Sequence, residues 1–179
     1  MTTELIYLHG PPASGKYTIA KELAVLLNSK VFHNHLTIDV AKSIFEFGSD
    51  VFWDLADELR LKTIETAFAN KVPSLIITSC YDHPVDLPFY KKVEVMAQRY
   101  DGKLRPFFLS CSKEELESRV GSPKRIEMGK LSTISGLRDN LREWNCIPVP
   151  RNSCITVFTE DKTPNMCAKA IQTELCQTS

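Results

Sequence analysis

The chain has 179 residues, 43% of them hydrophobic, enough for one compact domain with a substantial core. Lysine plus arginine balances aspartate plus glutamate at 22 each, so no net field draws the molecule to nucleic acid or to an anionic membrane. Any anion site must therefore be local.

Cys80, Cys111, Cys146, Cys154, Cys167 and Cys176 form no C-x-x-C pair, and Cys80 and Cys111 end apolar runs where a thiol packs as a small hydrophobe. The N-terminus lacks a basic segment followed by a long apolar stretch, and nowhere is there an apolar run of the ~18 residues a membrane helix needs. A reduced, cytoplasmic protein with no membrane partner is expected.

Residues 5–18 read Leu-Ile-Tyr-Leu-His-Gly-Pro-Pro-Ala-Ser-Gly-Lys-Tyr-Thr, and Ile19, Ala20, Leu23, Ala24 and Leu27 follow at helical spacing. This is G-x-x-x-x-G-K between a short strand and a helix over 17–28. Glycines let backbone N–H groups converge on an anion, the helix N-terminus adds partial positive charge, and the lysine reaches the outer phosphates. Gly10, Pro12, Ala13, Ser14, Gly15, Lys16, Tyr17 and Thr18 are the expected cradle for a nucleotide triphosphate. One position departs from the pattern: Tyr17 stands where a Ser or Thr hydroxyl ligates Mg²⁺, and a phenol is too long and rigid to do so from the same backbone.

Lys30 to His33 reads as a short strand, and Asn34 or Thr37 as the cap of the helix that follows. Gly48-Ser49-Asp50 breaks that helix, and a long amphipathic one is predicted over 51–70 with Leu55, Leu59, Ile64 and Phe68 on its apolar face. Residues 73–80 form a nearly continuous apolar strand of the kind buried on both faces of a parallel sheet. A helix over 88–100, a strand over 104–111 and a capping box at Ser112 and Glu115 come next. Residues 119–135 are basic and glycine-punctuated, which suggests a mobile lid, and Leu137, Leu141 and Trp144 lie on a helical stretch beyond it. Residues 154–158 make the last strand, and Thr163-Pro164 caps the terminal helix. Five strands alternating with helices predict a single α/β domain over 1–179, a three-layer sandwich around a five-stranded parallel sheet.

Ligands of such sheets sit at the strands' carboxyl ends. That rule selects the glycine loop, His33 to Asp39, Ser79 to His83 and Thr159 to Thr163. His33 and His35 can orient a substrate or act as a base at neutral pH, and His-x-His also invites a metal, but nothing lies at a spacing that completes a tetrahedral set. No metal-ligating residue is assigned. Asp39 is either an acceptor-site carboxylate or a first-turn acid favouring the helix dipole, and Asp82 is either metal-organising or a loop cap before His83-Pro84. Arg60 either grips an anionic acceptor or pairs with a neighbouring acid on its own helix. Trp53 and Tyr81 either line the acceptor pocket or join the core.

The run Gly15-Lys16-Tyr17-Thr18 resembles the adenylate, shikimate and other small-molecule kinases of the P-loop superfamily, some of which carry Gly-Lys-x-Thr and leave the metal to phosphates and water. The resemblance implies ATP with Mg²⁺ as cofactors, Thr18 on the α-phosphate, and an arginine-bearing lid in which Arg119 lies against the nucleotide and Arg125 neutralises transferred charge. It implies that Lys16, Asp39 and Arg125 carry the chemistry, and that His33, His35, Asp39, Arg60 and Asp82 hold the acceptor. The absence of an Asn-Lys-x-Asp run favours ATP over GTP. The expected activity is phosphoryl transfer from ATP to a hydroxyl or phosphate of a small metabolite, the alternative being a regulatory module that binds nucleotide without transfer.

Overall fold

The computed structural model describes residues 2–177. In chain order the elements are β1 (Glu4–His9), α1 (Lys16–Leu27), β2 (Lys30–His33), α2 (His35–Lys42), α3 (Asp50–Ala69), β3 (Ser74–Ser79), α4 (Leu87–Arg99), β4 (Lys103–Ser110), α5 (Lys113–Val120), α6 (Pro123–Glu127), α7 (Ile134–Glu143), β5 (Ile155–Phe158) and α8 (Pro164–Gln177). All strand pairs are parallel, in the order β2-β3-β1-β4-β5. The chain fills one side of β1 with β2 and β3, then crosses to the other with β4 and β5. That reversal opens a crevice at the carboxyl end of β1.

Alternation along β1 divides the core into two layers. Ile6 and Leu8 pack with Ile19 and Leu23 of α1 and Ala168 and Ile171 of α8. Leu5 and Tyr7 face the other way, onto Ile64 and Phe68 of α3 and Tyr90 and Val93 of α4. This is the expected three-layer α/β sandwich.

Several local expectations need correction. The buried stripe of α3 begins with Phe52 and Ala56 rather than Leu55 and Leu59, because its first half packs on Ala41 of α2 instead of on the sheet. Neither proposed residue caps α2 through its side chain: Asn34 is turned toward Thr78, and the Thr37 hydroxyl donates to the Asn34 carbonyl. Ser112 accepts from the Glu115 amide, but the Glu115 carboxylate goes to Arg119 instead of completing the capping box. Tyr81 is core, its hydroxyl against His83 Nδ1 at 2.9 Å. Cys80 lines the cleft at the end of β3, whereas Cys111 packs with the apolar group formed by Ala13, Leu116 and Leu137.

His9 ends β1 fully buried, and its Nε2 accepts the Val149 amide at 3.1 Å, tying the segment before β5 to the sheet. Burial pushes its pKa down to about 4. Between the ordinary histidine value near 6.5 and that value, the unfolded chain holds a proton that the native chain does not. Stability is therefore full above this window and falls as pH drops through it, by about 3 kcal/mol from this one group. Urea denaturation at pH 7 and pH 4.5 reads the loss, and His9→Gln should flatten it.

Candidate functional site

Beyond β1 the backbone turns at Gly10, with φ 147, and runs through Ala13 and Gly15 at φ 66 and 90. A Cβ on Gly10 would stand 2.5 Å from the Leu109 carbonyl of β4, so only glycine lets the loop leave the sheet here. Ser14 closes the turn by donating its amide to the Pro11 carbonyl at 3.3 Å, and its side chain is buried. α1 then starts at Lys16 with no side chain capping it. The amides of Lys16, Tyr17 and Thr18 thus lack intrahelical acceptors and add to the positive end of the helix dipole. Lys16 Nζ folds back across its own loop, donating to the carbonyls of Gly10 at 2.7 Å and Pro11 at 2.6 Å.

A continuous cleft of about 1110 Å³ extends from this loop. Pro12, Ala13, Gly15, Lys16, Tyr17 and Thr18 line it, while Gly10 and Ser14 lie beneath as support. At one end stand Arg119, Thr159 and Lys162; at the other His35, Asp39, Trp53, Arg60, Asp82 and Asp86; and Arg125 and Lys130 border it from the segment after α5. His33 does not line it. Its ring stands edge-on behind Tyr17, centroids 4.7 Å apart.

The arginines are already engaged. Arg119 Nε donates to Glu115 at 2.7 Å, and its other nitrogens donate to the Thr159 hydroxyl and carbonyl, each at 3.0 Å. It clamps α5 to the end of β5. Arg125 donates to the Leu131 carbonyl from Nε at 3.1 Å and from Nη2 at 2.6 Å, holding its own segment in a loop. Lys130 follows α6 through Gly129, whose φ of 58 reverses the chain, and its ammonium stands 4.6 Å from the Tyr17 ring centroid. Burial, then Arg125 and Lys16, pushes the Lys130 pKa down to about 8.

At the far end the charge changes sign. Arg60 pairs with Asp57 at 3.0 Å, its guanidinium lies over the Phe89 ring, and its Nε is buried without a partner. It carries the helix-surface partner that one of its two readings expected, and it also lines the cleft. Asp82 accepts the Asn145 amide at 2.8 Å, tying its loop to the segment after α7 rather than capping that loop locally, and donates its own amide to Asp86 at 2.8 Å. Burial first, then the nearby Asp57 and Asp82, raises the Asp86 pKa to about 6. Burial and Lys130 lower that of His35 to about 4, so the ring is neutral near pH 7. Asp39 is exposed on α2.

Asp57 and Asp86 were not singled out as site residues from the sequence, and Thr159 and Lys130 fell only within the wider segments 159–163 and 119–135. Each belongs to a helix face or loop whose direction is set by packing. The one local signal was Gly129 before Lys130, a pair able to turn a cation back toward the cleft.

No protein-family model and no curated protein matches the sequence. Solved structures do match in three dimensions. A presumed kinase from Chloroflexus aurantiacus superposes with a TM-score of 0.71 at 22% identity, over 99% of this chain and 98% of that one. A gluconokinase from Sinorhizobium meliloti gives 0.66 at 14% identity over 98% and 93%. Shikimate kinase from Acinetobacter baumannii, solved with shikimate, gives 0.59 at 18% identity over 98% and 94%. The parallel sheet and these end-to-end superpositions give the chain the fold of the P-loop small-molecule kinases.

Proposed function

We propose that the protein transfers the terminal phosphoryl group of ATP to a hydroxyl of a small metabolite. The observation that carries this reading is the cleft itself: an uncapped helix N-terminus and Lys16 at its centre, cations over one end and a carboxylate-rich pocket at the other. Lys16 exchanges its contacts with the Gly10 and Pro11 carbonyls for phosphate oxygens, and Arg119 and Arg125 border the nucleotide. The acceptor oxygen attacks the γ-phosphorus, the bond to the β-phosphate oxygen breaks, and the hydroxyl proton passes to a carboxylate. Asp39 is the proposed base, with His35, Arg60 and Asp82 around the acceptor. His33 contributes by backing Tyr17 rather than by touching the acceptor.

Among the described residues no group of three or more His, Cys, Asp or Glu side chains is placed to hold a metal ion. Mg²⁺ would therefore be held through the phosphates and water, for which it readily keeps several ligands, supplying charge neutralisation. Asp39, Asp82 and Asp86 outnumber Lys42, the lining cation of α2, once Arg60 is paired with Asp57, which favours a neutral or amine-bearing polyol over a phosphorylated acceptor. Six free cysteines suit a reducing, cytoplasmic setting.

The test is ADP release with ATP against a panel of small hydroxyl compounds of different charge. Turnover dependent on one acceptor supports the reading; none with any of them overturns it. Asp39→Asn should then lower kcat by about 10²- to 10³-fold with KM for ATP unchanged, the usual weight of a general base. If Asp86→Asn does so instead, the base is Asp86, whose raised pKa already suits proton uptake.

A second reading, a regulatory module that binds nucleotide without transfer, is favoured by Tyr17 at the metal-hydroxyl position and by Arg119 and Arg125 being tied to protein groups. It requires a nucleotide-dependent rise in melting temperature without ADP release under any acceptor.

A further inference from the structure

Tyr17 occupies the position at which this loop motif places a small hydroxyl, and its ring is enclosed rather than free. His33 meets it edge-on, Lys21 of its own helix reaches 5.4 Å from the centroid, and Lys130 comes down from the lid segment to 4.6 Å. That last approach is built into the backbone. The Gly129 amide donates to the Ile126 carbonyl at 2.9 Å, the Lys130 amide to the Arg125 carbonyl at 3.0 Å, and Gly129 is left-handed, so α6 ends in a turn that aims the next side chain back at α1.

Cations crowd that ammonium. Lys16 faces it from α1 and Arg125 and Lys124 from α6; the rings of His33 from β2 and His35 from α2 also face it, their own pKa values lowered by burial and by Lys130, while Cys80 after β3 is the group that favours its charge. A half-buried lysine among like charges, held on an aromatic face, is stabilised by a polyanion entering between it and Lys16.

We propose that Tyr17 is a positioning residue whose ring holds the Lys130 ammonium against the terminal phosphates of the nucleotide, so that a lid cation acts where a hydroxyl at position 17 would have anchored a metal. The inference rests on the nucleotide-binding reading above. Lys130 touches the phosphates and Tyr17 acts through it.

The test is calorimetric titration of the full chain with ATP in EDTA, so that no metal contributes, at pH 7.5 and pH 9.5. Wild-type affinity should fall as pH rises, because Lys130 loses its proton in this window in the free protein. Lys130→Met should bind about tenfold more weakly at pH 7.5, the size of one charge-assisted hydrogen bond, and lose most of the pH dependence. Lys130→Arg should keep the affinity and lose the pH dependence, since guanidinium stays charged. Tyr17→Phe should match wild type because the ring, not the phenol, is the platform. Tyr17→Ser should behave like Lys130→Met, and the double variant should be no weaker than either single one.

Wild-type binding that Lys130→Met retains in full overturns this proposal alone, as do additive effects of Tyr17→Ser and Lys130→Met. Wild-type protein that binds no ATP at either pH overturns the nucleotide reading as well. Melting curves of each variant without ligand check that it is folded.

Discussion

Lys16→Ala will cut ATP turnover by about 10³-fold or more while leaving the melting temperature of the free protein close to wild type. Both halves follow from where the ammonium is. Its partners are the carbonyls of Gly10 and Pro11 in its own loop, so removing it breaks no contact between elements of the core. In the proposed reaction it would stand at the β- and γ-phosphates, where negative charge is redistributed as the P–O bond breaks. Removing one donor aimed at developing charge typically costs about 10² to 10³ in rate, and here a full positive charge goes with it. Steady-state ADP release beside thermal unfolding separates the two effects. Unchanged turnover would refute phosphoryl transfer at this loop, and a collapsed melting temperature would mean that Lys16 is structural.

Gly10→Ala should destabilise the free protein by about 3 kcal/mol and lower its melting temperature by roughly 6–12 °C for a chain of this size. The new Cβ would meet a backbone oxygen, Leu109 O, at 2.5 Å, and the residue would sit at φ 147. β4 is paired with β1 up to Phe108, and Leu109 itself is in register with Val157 of β5, so Leu109 cannot yield without disturbing the sheet. Nucleotide binding should fall with stability, because the amides of Lys16 to Thr18 are aimed by the same turn. Gly129→Ala is the contrasting control. Its Cβ would meet nothing within 4 Å, although φ 58 still strains it, so its cost should be near 1 kcal/mol.

The layered sheet was legible because its signals are local. The apolar run Leu5 to Leu8, the apolar run over 73–80 and the passage from the helix over 88–100 to the strand over 104–111 each survive into the folded chain. The cradle was legible for the same reason, since Gly10, Gly15 and Lys16 act through neighbouring backbone. Long-range contacts were not. The stripe on α3 shifted to Phe52 and Ala56 because α2 covers its first half, which no periodicity within 51–70 encodes. Glu115 left its capping box for Arg119 one turn on, a competition between two good partners that spacing alone does not decide. Asp86 lies between Pro84 and Pro88, outside the elements read from the sequence; its raised pKa comes first from burial and then from Asp57 and Asp82, and only the fold supplies that setting. His9 likewise looks like the end of a strand until Val149, far along the chain, donates to it.

The change of sign along the cleft bears on how a turnover would end. Attaching a phosphate to a neutral polyol at the acceptor end turns a guest that Asp39, Asp82 and Asp86 welcome into a dianion that they repel, while the ADP left behind has lost its outermost group. Departure would thus be driven by the same carboxylates that favoured entry, and the phosphorylated compound should be a feeble competitor of its own precursor.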